Sequence, residues 1–253
     1  MGIRIWGIPV AAWVALLAFT AALASELMLA LTRPERAWYE GRAAAESTKT
    51  LAWRYMVRGE PFHANPADTT DADFVADLSN LLEDLNDIDL AVIASDDSQI
   101  TPVMRAARAL SFEDRRDHYL RERVQAQRRW YVEKSSQNQR DARVWTIVGV
   151  VAEFTGVVAA AFMAFDYTDL DLLGLLAAIA ATAAAWSQAK QHRSLATAYA
   201  VTALELASVA SAAAITKDAD WARFVDEAEE AISREHTLWR ASRGVRRRRS
   251  SSL

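Results

Sequence analysis

Two long apolar stretches, separated by a short polar turn, constrain this chain more than any other feature. They cover residues 144–165 and 170–187, and the turn between them is Asp166-Tyr167-Thr168-Asp169. A helix needs roughly 17–25 apolar residues to cross the hydrocarbon core of a bilayer, and both stretches are long enough. The pattern predicts a transmembrane helical hairpin. The alternative is a buried core hairpin of a soluble protein, which Ala-rich helices can also form.

Basic residues indicate how the hairpin is oriented. They flank it on both sides and are absent from the turn: Arg140, Arg143, Lys190 and Arg193. Because Lys and Arg are retained on the cytoplasmic side of a membrane, both ends of the hairpin are predicted to be cytoplasmic. Trp145 and Trp186 then lie at one membrane interface, where tryptophan is enriched.

A third apolar run covers residues 5–31 and is followed by Arg33 and Arg36. It is longer than the ~7–15 residue core of a signal peptide, which is the alternative interpretation. We therefore predict a further span whose C-terminal end is cytoplasmic. With only 8 Gly and 5 Pro, the chain is expected to form long helices. The predicted fold class is an all-α integral membrane protein with a transmembrane hairpin, one N-terminal span and long cytoplasmic amphipathic helices.

The segment before the hairpin carries helix-start signals. Thr101-Pro102 is typical of an N-cap followed by proline at the first helical position. Ser111 with an acid three residues later is a capping-type start. Neither Gly nor Pro occurs between Phe112 and Gly149. A single helix is therefore predicted over residues 112–165, rising from the cytoplasm into the bilayer.

Charge is unevenly distributed along the chain. The net charge of −4 gives no argument for nucleic-acid binding, and no nucleic-acid partner is predicted. A basic cluster closes the chain: Arg246, Arg247, Arg248 and Arg249. Near an anionic membrane surface each such residue contributes roughly 1 kcal/mol of attraction to lipid headgroups. The alternative interpretation, a solvated tail, is given equal weight.

Signals for enzymatic chemistry are missing from the sequence. There are no Cys and only 4 His, scattered singly, so thiolate chemistry and metal-binding pairs are not indicated. No Gly-rich phosphate loop or nucleophile motif occurs. No enzyme activity, catalytic residue, cofactor or metal is predicted.

Glu153 is the most informative single residue, because it lies near the middle of a predicted span. Intramembrane acids usually face a bundle interior or a water-filled path. One interpretation is a pore-lining or proton-linked group. The other is a protonated carboxyl hydrogen-bonded to a neighbouring helix, for which Thr182, counted outward from the turn, is the expected partner. Small residues of the last span, namely Ala177, Ala180, Ala181 and Ala184, would permit close helix contact.

A polar and aromatic stripe precedes the hairpin. Its members recur at three- and four-residue steps, with Tyr131 alongside: Tyr119, Arg123, Gln127, Trp130, Lys134 and Asn138. This spacing places them on one helix face. Such a stripe fits helix–helix registry in a homo-oligomer, and an amphipathic helix with an aromatic anchor is the plain alternative.

The two halves of the chain show a weak internal similarity at an offset of about 150 positions. Phe74-Val75 and Asp77 find counterparts in Phe224-Val225 and Asp226. Each half consists of an apolar span, an amphipathic helix and an acidic helix, but the first has one span where the second has two. Chance similarity between helical segments is the alternative.

The stripe and the hairpin together resemble the SLATT family, bacterial two-transmembrane domains associated with nucleotide second-messenger synthases and SLOG-type sensors. The positions that carry the resemblance are Arg123-Val124, Gln127, Trp130-Tyr131, Lys134, Asn138 and Ala142, and after the hairpin His192, Tyr199, Glu205-Leu206, Glu230 and Trp239. The resemblance implies a partial first unit over residues 1–100, a second unit over 101–243 and a basic tail over 244–253.

The resemblance also implies a function. SLATT domains are expected to form pores that permeabilise the bacterial inner membrane when a sensor is triggered, in a conflict or cell-suicide response. No catalytic residues or cofactors come with the family. The expected partners are membrane lipid, further copies of the chain, and a second-messenger or SLOG-type sensor. A non-conducting scaffold that anchors a cytoplasmic partner is the alternative.

Overall fold

The computed structural model describes residues 4–5, 8–32, 34–63, 67–83, 98–165 and 173–242. Two short strands, β1 (Arg4–Ile5) and β2 (Ile8–Pro9), pair antiparallel. The other elements are helices: α1 (Val10–Thr32), α2 (Pro34–Met56), α3 (Ala67–Glu83), α4 (Pro102–Ala109), α5 (Phe112–Tyr119), α6 (Ala126–Ala164), α7 (Leu173–Lys190), α8 (His192–Ile215) and α9 (Asp218–Ser242). A π-helical segment, Leu120–Gln125, joins α5 to α6.

The predicted helix starts are confirmed. The Thr101 hydroxyl accepts from the Met104 amide at 3.2 Å at the start of α4. The Ser111 hydroxyl accepts from the Asp114 amide at 3.2 Å and donates to the Asp114 carboxylate at 2.7 Å. Beyond this cap the helix runs without a break over Phe112–Ala164, 53 residues in all. The long helix predicted from the lack of Gly and Pro therefore forms.

Helix α6 packs antiparallel against α7 and then α8. Its less exposed face alternates three- and four-residue steps and consists mostly of small residues: Ala142, Trp145, Gly149, Ala152, Gly156, Ala159 and Met163. A Cβ built on Gly149 would lie 4.0 Å from the Ala183 Cβ, and one on Gly156 would lie 3.9 Å from the Leu176 Cβ. Small residues thus let the two helices approach closely.

Only some of the small residues predicted for this contact lie at it. Ala180 is half-buried against α6, whereas Ala177, Ala181 and Ala184 are exposed. Ala183, which lies three residues after Ala180, is the buried one. The alanine-rich sequence offered several helix faces, and the register with α6 selects among them.

Two hydrophobic cores lie beside the hairpin, and α2 contributes to both. The larger core joins the end of α2 to α5, the π-helical segment, α8 and α9 around Val57, Tyr119, Val124, Leu206, Trp221 and Val225. The smaller core joins α2 to α3 and α4 around Tyr55, Phe62, Phe74, Leu78 and Ile100. Helix α2, from the first half of the chain, is therefore held by α9 from the second half.

The N-terminal span differs from its prediction. The helix begins at Val10 rather than near residue 5, because the β1–β2 pairing and Pro9 precede it. All the α1 side chains that the structure describes are exposed, and the apolar stretch among them is Leu16–Leu31. Two helices of the described ranges, Phe112–Ala164 and Leu173–Ile215, are long and apolar enough to cross a membrane. The third span stays a prediction.

Candidate functional site

A buried ion pair lies at the junction of the two halves of the chain. The Arg123 guanidinium donates from Nε to Oε1 of Glu229 at 2.9 Å and from Nη2 to Oε2 at 2.7 Å. The two residues are 2% and 0% exposed. This two-point geometry is the strong form of an arginine–carboxylate contact. It fixes the rotation of the π-helical segment relative to α9.

Two further side chains complete the hydrogen bonding of the Glu229 carboxylate. The Tyr119 hydroxyl donates to Oε1 at 3.0 Å, and the Thr50 hydroxyl donates to Oε2 at 3.0 Å. Burial and the negative charge of Glu229 raise the pKa of the Tyr119 phenol well above its ordinary value, so this hydroxyl keeps its proton. We call these four residues, Thr50, Tyr119, Arg123 and Glu229, the junction cluster.

Glu229 also keeps Arg123 charged. Burial alone would lower the pKa of the Arg123 guanidinium, but the hydrogen bonds and negative charge of Glu229 outweigh it and raise the pKa above the ordinary value. A buried charge with a satisfied partner is tolerated, whereas an unpaired one is costly. The site is therefore a fully paired ionic contact, in which neither charged group is free to act as an acid or a base.

Neighbouring contacts reinforce the hold of α9 on α2. Arg54 forms an ion pair with Asp226 at 2.7 Å. The Trp221 indole donates to the Val57 carbonyl at 2.8 Å. Because the π-helical segment continues directly into α6, the junction cluster connects α2 and α9 to the base of the apolar hairpin. Short π-helical segments inside α-helices are often found at functional sites.

The structure places the predicted stripe mostly within the chain. Tyr119 and Arg123 belong to the junction cluster, and the rings of Tyr131 and Trp130 lie 5.7 and 5.8 Å from that of Tyr199 in α8. Asn138 contacts His192, with 2.9 Å between Oδ1 and Nδ1.

The other two members of the stripe are Gln127 and Lys134. Gln127 is half-buried, and Lys134 donates to Gln137 at 3.0 Å. That the stripe takes part in contacts between copies of the chain stays a prediction.

The two predicted interface tryptophans meet at one end of the hairpin. The rings of Trp145 and Trp186 are 5.8 Å apart, and the Lys190 ammonium lies 4.8 Å from the centre of the Trp186 ring. The pairing sets both indoles at the same depth, as an aromatic belt requires. That this depth is a membrane interface remains a proposal.

The α6–α7 hairpin exposes a large apolar surface. The exposed side chains of α6 include Val144, Ile147, Val150, Val151, Phe154, Val157 and Phe162, and those of α7 include Leu175, Ile179 and Trp186. Only 6% of the most apolar window of the helix over Phe112–Ala164 is buried, and Ala183 is the buried residue of α7. A core helix of a soluble protein would be mostly buried. This surface therefore requires lipid or another protein surface to cover it.

Glu153 and Thr182 do not meet. The Thr182 hydroxyl donates to the Ala178 carbonyl at 2.7 Å, and both side chains are exposed. The contacts of Gly149 with Ala183 and of Gly156 with Leu176 set the register of the hairpin. In that register Thr182 lies almost one helical turn closer to the tryptophan pair than Glu153 does. The predicted equal depth was wrong, because the register of α6 against α7 differs by three residues from the one that the count assumed.

The remaining predicted positions fall elsewhere. Arg246, Arg247, Arg248 and Arg249 lie outside the described residues, as does the turn 166–169. Within the part of the chain that the structure describes, no group of His, Asp or Glu is placed to hold a metal ion.

Sequence reasoning missed Glu229 and Thr50. A signal for Glu229 exists in α9, where Trp221, Val225 and Ile232 define one buried face. Glu229 lies four residues after Val225 and shares that face. An acid on an apolar helix face needs a buried partner, and this would have identified it as paired. Thr50 carries no comparable signal.

Comparison with known families supplies the class. Residues 119–239 match the family model SMODS and SLOG-associating 2TM effector domain 1, and residues 3–116 match SMODS and SLOG-associating 2TM effector domain 3. The predominantly helical fold and its apolar hairpin fit a two-transmembrane effector domain. The chain belongs to the SLATT family, and the two matches are consistent with a tandem whose first copy is partial.

The other comparisons add nothing to this. No curated protein and no solved structure matches the chain significantly. SLATT domains are effector domains and are not known as enzymes, which is compatible with a non-enzymatic protein. Their association with SMODS and SLOG proteins fits a sensor partner.

Proposed function

We propose that the chain is an oligomeric effector of the bacterial inner membrane that opens a conducting path when a sensor partner triggers it. The observation that carries this proposal is the apolar surface of the α6–α7 hairpin, of which so little is buried within one chain. Two helices cannot enclose a water-filled path. Several copies, arranged around a common axis, supply the missing walls.

Glu153 supports the oligomer. Its side chain is exposed on the α6 surface, near the middle of the apolar stretch. An acid that faces lipid at the bilayer centre costs about 2.5–3.5 kcal/mol by insertion scales, and such residues face bundle interiors or aqueous cavities instead. In an oligomer, this face of α6 lies toward neighbouring copies or the path itself.

The junction cluster supplies a route for gating. Arg123 lies in the π-helical segment, which continues into α6, while Glu229 and Thr50 lie on α9 and α2. A partner that displaces α2 or α9 must either break this contact or move the base of the hairpin. Such a two-state contact is the element that a trigger could bias.

Permeabilisation tests the proposal. The full chain is induced in cells, and membrane potential and entry of an impermeant dye are followed at matched membrane abundance. The proposal predicts depolarisation by the wild type and an altered or abolished response with Glu153→Ala. Thr155→Ala is the matched control, because Thr155 is exposed on the same helix and its hydroxyl donates to the Val151 carbonyl of α6 itself.

The outcomes separate the pore from a non-conducting scaffold. Co-expression with the sensor-side proteins that accompany the family supplies the trigger in a second arm. Intact membranes in both arms, at high abundance, contradict the pore and favour a scaffold that anchors a cytoplasmic partner. Equal effects of Glu153→Ala and Thr155→Ala contradict the assignment of Glu153 to the path.

A further inference from the structure

A groove of about 630 Å³ lies between α6 and α8, next to the apolar hairpin. The lining residues that matter are Arg143, Thr146 and Ile147 from α6, and Arg193, Ala196 and Thr197 from α8. It opens on the surface of the chain and has two kinds of wall. Arginines and hydroxyls line one part, and aliphatic side chains line the other.

The polar wall carries positive charge with no acid among its lining residues. Arg193 donates to the Thr146 hydroxyl at 3.2 Å, which holds its guanidinium beside the groove. Arg143 is exposed, and none of the ion pairs among the described residues includes it. Two guanidinium groups that share one concave site and lack a carboxylate partner are suited to a phosphate oxyanion.

The position of the groove indicates the source of that phosphate. Thr146 directly follows Trp145, whose ring meets that of Trp186 at the end of the apolar hairpin. The aliphatic wall, with Ile147, continues into the exposed apolar surface of α6. A ligand that bridges the two walls has an anionic head and a hydrocarbon tail. A free phosphate compound would use the arginines and leave the aliphatic wall unused.

The geometry points to a binding site for the phosphate group of an anionic phospholipid of the cytoplasmic leaflet, with Arg143 and Arg193 on the headgroup and Ile147 along the acyl chain. This inference rests on the proposed membrane insertion of the hairpin. It assigns a defined lipid site to the junction between the hairpin and α8, at the point where a gating movement would have to pass.

The test measures which lipids remain bound to the full chain. The protein is reconstituted in nanodiscs that hold equal amounts of phosphatidylglycerol and phosphatidylcholine, and retained lipid is counted by native mass spectrometry. The wild type should retain phosphatidylglycerol preferentially. In Arg143→Gln/Arg193→Gln the preference should fall by roughly 10- to 30-fold, since each cation near an anionic surface contributes about 1 kcal/mol.

Two variants distinguish a defined lipid site in the groove from a general attraction of lipid by surface charge. Arg128→Gln/Arg129→Gln removes the same charge from exposed positions of α6 outside the groove and should leave the preference unchanged. Thr197→Trp keeps both groove arginines but fills the groove, and it should abolish the preference. Retained preference in Thr197→Trp, or in Arg143→Gln/Arg193→Gln, overturns the inference. Thermal unfolding confirms that each variant is folded.

A further arm identifies the source of the phosphate. Excess soluble glycerol phosphate should not displace the lipid, and displacement would overturn the lipid assignment in favour of a free phosphate compound. Extraction of membranes with alkaline carbonate checks insertion separately. A chain that is released contradicts the proposed function together with this inference. A chain that stays in the membrane without a lipid preference contradicts this inference alone.

Discussion

At the scale of single residues, the contact between Arg123 and Glu229 joins the π-helical segment to α9, and Thr50 adds α2 to it. Both side chains are almost fully buried, and their polar atoms are satisfied by each other, Tyr119 and Thr50. Such a cluster is not by itself evidence of high stability, because taking the charges out of water is costly. Its consequence is that neither partner can be removed alone.

The first prediction concerns that dependence. Glu229→Gln leaves the Arg123 guanidinium buried without a countercharge, so the free energy of unfolding should fall by about 3–5 kcal/mol. Denaturant unfolding in detergent, followed by tryptophan fluorescence, measures it. Replacing both partners by Arg123→Met/Glu229→Leu should cost less than the sum of the single changes.

The control uses an exposed ion pair of the same helix. Arg223 and Asp220 lie 3.0 Å apart with side chains 68% and 57% exposed. Asp220→Asn should therefore cost at most about 1 kcal/mol. A loss from Glu229→Gln no larger than that of this control would contradict the description of the junction cluster.

The second prediction concerns alkaline pH. Burial, helped by the hydrogen bond and charge of Asp71, raises the pKa of Tyr55 from its ordinary 10.0 to about 12. The unfolded chain therefore loses this proton first as the pH rises. The contribution is complete below pH 10.0 and is lost as the pH rises through about 12. Stability in that window should fall more steeply in the wild type than in Tyr55→Phe, and equal slopes would contradict the assignment.

At the scale of elements, the α6–α7 hairpin depends on small residues along its seam. Gly149 and Gly156 of α6 let α7 approach, and Ala183 is 2% exposed where it meets α6. Helices in lipid have no hydrophobic drive to associate, so close packing has to hold them together. The register of this seam is therefore testable by itself.

The third prediction tests the register by cross-linking. The chain contains no Cys, so introduced cysteines are the sole thiols. The Cβ positions of residues 149 and 183 are 4.0 Å apart, within the roughly 3.5–4.5 Å that a disulfide spans. Gly149→Cys/Ala183→Cys should cross-link on mild oxidation, seen as a shift in gel mobility. Gly149→Cys/Ala181→Cys is the control, because Ala181 is exposed, and preferential cross-linking of this control would contradict the register.

The helices could be predicted from the sequence more fully than the contacts between them. The helix over Phe112–Ala164 follows from the absence of Gly and Pro before Gly149, and its start follows from the Ser111 cap. These are local signals. The contact of Arg123 with Glu229 joins positions 106 apart. The depth of Glu153 relative to Thr182 depends on the register of α6 against α7. Such features arise from packing between helices, which a single sequence does not specify.

At the scale of the whole molecule, the two regions that match SLATT models share one body of packed helices. Helix α2 packs between α3 and α4 on one side and α9 on the other. The tandem predicted from the weak repeat agrees with the two family matches. Within the described residues of the second unit, the apolar hairpin is the part that extends away from this body. A partner that displaces this body would therefore also move the hairpin.

We propose that the hairpin crosses the membrane with both ends in the cytoplasm, and labelling of introduced cysteines measures this topology. Single cysteines replace Gln137, exposed on α6 before the hairpin, and Tyr167 in the predicted turn. Spheroplasts are treated with a bulky, membrane-impermeant maleimide before and after lysis. If the hairpin crosses the membrane in this orientation, Tyr167→Cys is labelled in intact spheroplasts and Gln137→Cys is labelled only after lysis. Labelling of both positions only after lysis would show that the hairpin does not cross the membrane.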